Sequence, residues 1–271
     1  MHCLDAGSGS PTVFLHGNPT SSYLWRKVLG ALDGLPGRRI AVDLIGMGAS
    51  GKPSVEYRLV DHVEYVEALL DALDLPQVTL VGHDWGVAIA LECLRRRPDR
   101  VAGVALMEGH LRPLPDWHAF DEGGRAIFQD LRTPGVGERM ALDENFLIEV
   151  LLPAGTNHRL TPAEYAVYAE PYADRASRRP LLQWTREIPI AGHPADVADF
   201  LTRAWDAFGS ARVRKLLIHG SPGAVVGADT VAWCRQTVPD LVTVDVGPGS
   251  HFLPEERPNE IARALAGWLP A

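Results

Sequence analysis

Six short runs rich in Val, Ile and Leu, each bounded by Gly, punctuate this chain. They are PTVFLHG (11–17), RRIAVDLIG (38–46), QVTLVGH (77–83), VAGVALMEG (101–109), VRKLLIHGS (213–221) and LVTVDVGPG (241–249). Runs of this length, apolar almost throughout, fit strands buried on both faces of a parallel sheet. Helical patterns lie between them. In LVDHVEYVEALLDALD the residues Leu59, Val63, Val66, Leu70 and Leu73 recur at helical spacing. GVAIALECLRRRP and PNEIARALAGWL read likewise, the first stopped before Pro98. Strand–helix alternation predicts an α/β domain, a mostly parallel sheet with helices on both faces.

The rhythm breaks between about His110 and Gly192. There the sequence turns helical, aromatic and Pro-punctuated: PDWHAFDEGGRAIFQDL, DENFLIEVLL, TPAEYAVYAEPYADR and RRPLLQWTREIP. An insertion after a strand's C-terminal end sits over the crevice where α/β folds bind ligands. The expected organisation is a core of residues 1–109 and 193–271, with a helical cap at 110–192. A chain of 271 residues accommodates one α/β domain with such an insertion.

With 34 acidic against 26 basic residues the net charge is -8, which argues against nucleic acid or an anionic membrane as partner. The RRR run at Arg95–Arg97 ends a predicted helix, where cations suit the helix dipole. Cys3, Cys93 and Cys234 have neither disulfide nor metal spacing. The start, MHCLDAGSGSP, lacks the pattern of a signal peptide, and no apolar run reaches the length of a membrane span. A cytoplasmic protein is expected; its oligomeric state is open.

Chemistry concentrates at the strand ends. In Gly82-His83-Asp84-Trp85-Gly86 a strand passes into a helix through a short turn. This is the frame G-x-S-x-G of hydrolases that present Ser on a strained elbow, but Asp stands at its centre. Asp between strand and helix is also a good helix cap. The flanking glycines favour an elbow, because they let strained backbone and close neighbours coexist. Ser attacking a saturated carbon gives an ether, which water does not cleave under mild conditions. A carboxylate gives an ester, which turns over. A free Asp, with pKa about 3.9, is already ionised near neutral pH. An Asp84 nucleophile therefore points to displacement at an alkyl carbon followed by ester hydrolysis, with epoxides or alkyl halides as electrophiles.

His251, in VGPGSHFLPEERP, follows the last strand and fits a general base for that hydrolysis. Its acid partner has two candidates. The turn after the strand ending IHGSPGAVVGAD has no carboxylate until Asp229, inside the next helical pattern. Glu108 ends the strand after the elbow and is the better placed to orient the ring and stabilise the imidazolium. For the leaving group, Asn18 in FLHGNPTSS offers two amide N–H donors and Trp85 one indole N–H. Converging near Asp84, they would stabilise a departing anion, and the backbone N–H groups of the same two residues would form an oxyanion hole.

Together, HGNPTSSYLW, DLIGMGASGKP, GHDWG, MEGHLRPLPDW, PIAGHPADV and GPGSHFL resemble the haloalkane dehalogenases, over nearly the whole chain including the cap. The resemblance implies the α/β-hydrolase fold, with Asp84 as nucleophile, His251 as base, Glu108 as acid, and Asn18 with Trp85 as halide site. It implies a small halogenated alkane and water as substrates, a halide ion as product, and no metal or organic cofactor. It suggests Phe128, Leu131, Phe146 and Val225 as pocket lining. Two departures stand out. The family usually begins with a hairpin strand ahead of the segment matching MHCLDAG, so the sheet is expected to be shorter, or its edge covered otherwise, for instance by another subunit. Gly51 replaces an Asp of the family's S-D-K-P run.

Three other readings remain open on the sequence. An epoxide hydrolase shares an Asp nucleophile but needs acidic groups, commonly two cap tyrosines; Tyr165, Tyr168 and Tyr172 lie in the cap at helical spacing. A coelenterazine-type luciferase resembles the same subfamily. A non-catalytic ligand-binding protein on this fold is the third.

Overall fold

The computed structural model describes residues 1–270. Seven strands form one sheet: β1 (Cys3–Ser8), β2 (Pro11–Leu15), β3 (Gly37–Val42), β4 (Val78–His83), β5 (Val101–Met107), β6 (Arg214–Pro222) and β7 (Leu241–Gly249). Their spatial order is β1-β3-β2-β4-β5-β6-β7, and all neighbours are parallel except β1 against β3. β2 to β7 coincide with the six apolar runs. β1 is the strand that periodicity did not disclose. Its residues after Cys3 are exposed, so they carry no apolar signature. It covers the β3 edge from within the chain, in register from Cys3 opposite Val42 to Ser8 opposite Gly37. β1, the segment matching MHCLDAG, is itself the outermost strand on that side, and among the described residues no hairpin partner pairs beyond it. Asp5 fastens the pair through a forked ion pair to Arg38. At the far edge, β7 is only partly buried, unlike the buried strand its composition suggested, because it has a neighbour on one side alone.

The two sheet faces build two cores. Val13, Leu15, Ile40, Val42, Leu80 and Leu106 point to one face. There they meet α2 (Leu59–Ala72) and α3 (Trp85–Arg96) through Val63, Val66 and Ile89. The alternate residues Phe14, Ala41, Val81 and Ala105 point to the other. There they meet α1 (Arg26–Ala31) and the C-terminal helix through Val28, Ile261 and Leu265. Every residue of α3 from Trp85 to Leu94 is buried. Its one buried carboxylate, Glu92, is held by Arg95 and Arg96. That gives the RRR run a second task, pairing with acids on α2 and α3.

Between β5 and β6 the chain leaves the sheet and forms α4 (Glu122–Arg132), α5 (Pro162–Ala169) and α6 (Arg179–Glu187). Two π-helical segments, Arg139–Asp143 and Leu147–Leu151, lie between α4 and α5. The helix α7 (Ala195–Ser210) then returns to pack on α3. After β6 come α8 (Ala228–Thr237) and, following β7, α9 (Pro258–Trp268). Among the described residues, no helix is long and apolar enough to cross a membrane.

Candidate active site

The chain runs from β2 to β3 on one side of β2, then crosses to β4 on the other. The loops after β2 and β4 therefore diverge and open a crevice at the strands' C-terminal ends. Asn18 follows β2 and Asp84 follows β4, so topology alone brings them together. Asp84 adopts φ 53°, ψ −123°, a conformation that L residues adopt only under constraint. The constraint is close packing. A Cβ on Gly86 would lie 2.1 Å from the Leu15 carbonyl oxygen, and one on Gly82 would lie 2.6 Å from that of Gly86. Only glycine lets β2, the elbow and α3 approach this closely. The Asp84 side chain makes no capping bond to α3. It points instead into the crevice, and the helix-cap reading falls.

The two carboxylate oxygens of Asp84 have different surroundings. Oδ1 accepts the backbone N–H of Asn18 at 2.7 Å. Gly17 makes room for it, since a Cβ there would lie 2.1 Å from the same oxygen. Oδ2 faces two imidazoles, His251 Nε2 at 3.6 Å and His110 Nε2 at 3.5 Å. Of the two backbone donors expected around this carboxylate, Asn18 is bonded to it and Trp85 is not. The side chain is turned towards Asn18, so the Trp85 N–H is left beside it.

His251 Nδ1 lies 3.8 Å from Glu108 Oε2, longer than a hydrogen bond. Glu108 is fully buried. Its carboxylate accepts the N–H groups of Ala224 and Val225 on Oε2, at 3.0 and 2.8 Å, and that of Val226 on Oε1 at 3.3 Å. Burial pushes its pKa up, but His251 and these amides outweigh burial and hold it below the ordinary glutamate value. For His251, burial disfavours the imidazolium, yet the carboxylates of Glu108 and Asp84 raise its pKa above the ordinary 6.5. The His251 carbonyl is held by His83 Nε2 at 2.7 Å, and burial drives the His83 pKa down to about 4, so that ring is neutral at physiological pH. The rival acid Asp229 is exposed on α8.

A cavity of about 380 Å³ lies over Asp84. Asn18, Asp84, Trp85, His110, Val225 and His251 form its floor; Phe120, Phe128, Leu147, Leu151, Trp184 and Ile188 of the inserted segment form its roof. Phe128 and Val225 thus line it as expected. Leu131 and Phe146 do not. Leu131 is fully buried within the core, and Phe146 packs against that core beside the π-helical turn that sends Leu147 and Leu151 to the cavity. Trp85 is 1% exposed and stacks on Trp184 of α6, centroids 4.8 Å apart. One Asn18 amide N–H donates to the Leu181 carbonyl of α6 at 3.1 Å. Its second N–H is available to the cavity. None of the three cap tyrosines lines this cavity. Tyr168 donates to Glu255 at 2.5 Å, Tyr172 is buried against the core, and Tyr165 lines a separate surface depression. The proton donors an epoxide hydrolase requires are therefore not in place.

Sequence reasoning gave no role to His83, His110, Trp184 or the amides of residues 224–226. The motif GHDWG and the segment MEGH contain the two histidines, but only the fold reveals what they touch.

Residues 11–258 match the family model for the alpha/beta hydrolase fold. A haloalkane dehalogenase of Mesorhizobium japonicum is 44% identical over all of this chain and 88% of its own length. One from Sphingobium indicum is 42% identical, over 99% of this chain and 91% of its own. The crystal structure of haloalkane dehalogenase DbeA from Bradyrhizobium elkani superposes with a TM-score of 0.94 at 44% identity, covering 98% of this chain and 92% of that one. By fold, sequence and extent of match, this chain belongs to the haloalkane dehalogenases, hydrolases of the α/β-hydrolase fold.

Proposed function

We propose that the chain hydrolyses small haloalkanes through an alkyl ester on Asp84, releasing alcohol, halide and a proton. The observation that carries this reading is the asymmetry of Asp84: Oδ1 is tied to the Asn18 N–H, while Oδ2 stands free beside His251 under an apolar cavity. In the first step Oδ2 attacks the carbon bearing the halogen. The halide departs towards the Asn18 amide and the Trp85 indole, N–H donors on the floor of a largely apolar cavity. In the second step His251 takes a proton from water and the oxygen adds to Cγ. Charge develops on Oδ1, where the Asn18 N–H already points. Glu108 stabilises the imidazolium. The inserted helices act as the lid, and no step is assigned to a metal or organic cofactor. The three cysteines are free, which favours a reducing compartment such as the cytoplasm.

The protonation logic is self-correcting. In the free enzyme the Asp84 charge helps to raise the His251 pKa. Alkylation removes that charge, so the base becomes easier to deprotonate in the step that needs it neutral. Incubation with 1-bromobutane or 1,2-dibromoethane should release bromide together with stoichiometric acid. No release across a panel of chain lengths would sink the proposal.

Glu108→Gln gives a second expected result. Removing the carboxylate charge lowers the His251 pKa, so the acid limb of the pH–rate profile should move to lower pH. At its optimum kcat should still fall roughly 100-fold, because the imidazolium loses its partner. A profile with an unmoved acid limb would separate Glu108 from His251.

A further inference from the structure

The cavity wall contains one polar side chain that the reaction above leaves without a task. Thr185 spends its hydroxyl on the Leu182 carbonyl at 2.7 Å, and the Trp184 indole N–H meets Met47 Sδ at 3.3 Å. His110 is the remainder. It is 8% exposed, lies on the floor of the cavity, and has its Nε2 3.5 Å from Asp84 Oδ2. It reaches that position through the turn after β5. Glu108 takes φ 45°, and Gly109 presses so closely on the elbow that a Cβ there would lie 2.6 Å from the Asp84 carbonyl oxygen. The next side chain is thereby set against Asp84 and Trp85, the His110 ring packing at a 45° tilt against the indole with centroids 4.5 Å apart.

We propose that His110 is a second catalytic histidine, whose Nε2–H hydrogen-bonds the oxygen that leaves with the alcohol. This rests on the reading of Asp84 as the nucleophile. Oδ1 is committed to the Asn18 N–H, so the new bond to carbon forms at Oδ2. When water adds to Cγ, its proton goes to His251. The Cγ–Oδ2 bond then breaks, and its electron pair stays on Oδ2, still attached to the alkyl group. Oδ2 finally takes the proton from the His251 imidazolium and leaves as the alcohol; the Asp84 carboxyl group, now carrying one oxygen from water, gives up the second water proton to solvent and is again a carboxylate. His110 keeps its own proton throughout and stabilises the negative charge passing through Oδ2. Burial disfavours a charged His110 and, although Asp84 opposes it, lowers the pKa, so the ring is a neutral donor. The groups facing it are Asp84, His251 and the Trp85 indole. The 3.5 Å separation exceeds a tight hydrogen bond, as is common before the reacting charge develops.

The two half-reactions respond oppositely. A donor on Oδ2 restrains the nucleophile in the first step and assists departure in the second. His110→Leu should therefore alkylate at least as fast as the parent, but hydrolyse the ester about tenfold more slowly, the worth of one neutral hydrogen bond. His110→Gln, which returns an N–H at similar reach, should recover most of the loss. The measurement is rapid-quench single turnover with 1-bromobutane, following bromide and the alkyl-protein mass separately. Ester hydrolysis in His110→Leu within about twofold of the parent overturns the proposal. So does a defect confined to alkylation, or one that Gln does not relieve, which marks His110 as packing for Trp85. Absence of any adduct on Asp84 when His251 is replaced would instead remove the nucleophile reading itself.

Discussion

Replacing His251 by Phe should give a protein that reacts with 1-bromobutane once and then stops. Phe occupies similar volume beside Phe252 and His83 but offers no nitrogen to water. Nothing in the first step needs a base, because Asp84 attacks as a carboxylate and the halide leaves into the Asn18 and Trp85 donors. One bromide per chain should appear as a burst. The intact mass should rise by one butyl group in place of hydrogen, located on Asp84 by peptide mapping. Hydrolysis should slow by about 10²–10⁴-fold, the range of a general base. An unchanged intact mass after exposure to substrate would falsify the covalent route.

Asp84→Ala should be more severe, because it removes the atom that bonds carbon. Neither bromide burst nor adduct should form, and turnover should fall by at least about 10⁴-fold, since nucleophile and base act as a unit. The fold should persist. Asp already carries a Cβ at φ 53°, so Ala adds no new clash there, and the main loss is the acceptor for the Asn18 N–H. That loss costs on the order of 1–3 kcal/mol. Residual bromide release within tenfold of the parent would place the nucleophile elsewhere.

The contrast between these two variants explains what the sequence could disclose. Asp84, Glu108, Asn18 and His251 each stand just past the end of a strand, and strand ends are legible from apolar runs closed by glycine. In a parallel sheet such ends converge by topology, so a sequence neighbourhood translates into a spatial one. The cavity roof has no such rule. Leu131 and Phe146 came from the family likeness alone: on α4 Phe128 reaches the cavity while Leu131, three residues on, turns into the core, and the π-helical turn at Leu147–Leu151 sends Leu147 and Leu151, not Phe146, to the roof. β1 escaped notice for a different reason: an exposed edge strand needs hydrogen bonds, not apolar side chains. His110 was visible as a letter in MEGH, but its approach to Asp84 depends on the positive φ of Glu108 and the fit of Gly109.

The turn after β6 illustrates the same limit. Its lack of a carboxylate seemed a gap in the sequence. In the fold this turn supplies three N–H groups to the Glu108 carboxylate, which arrives from β5. The adjacent strand ends thus divide one acid site between them, one giving the charge and the other its amides.

The contacts of α6 bear on how a turnover finishes. This one helix accepts an Asn18 N–H through Leu181 and stacks Trp184 on Trp85. Both donors assigned to the halide are therefore fastened to the roof as well as to the floor. The helix cannot swing outward without releasing the Asn18 amide and uncovering the indole together. On the halide assignment proposed above, substitutions along α6, remote from any bond being broken, should change how long the halide stays, because this helix holds both donors at once.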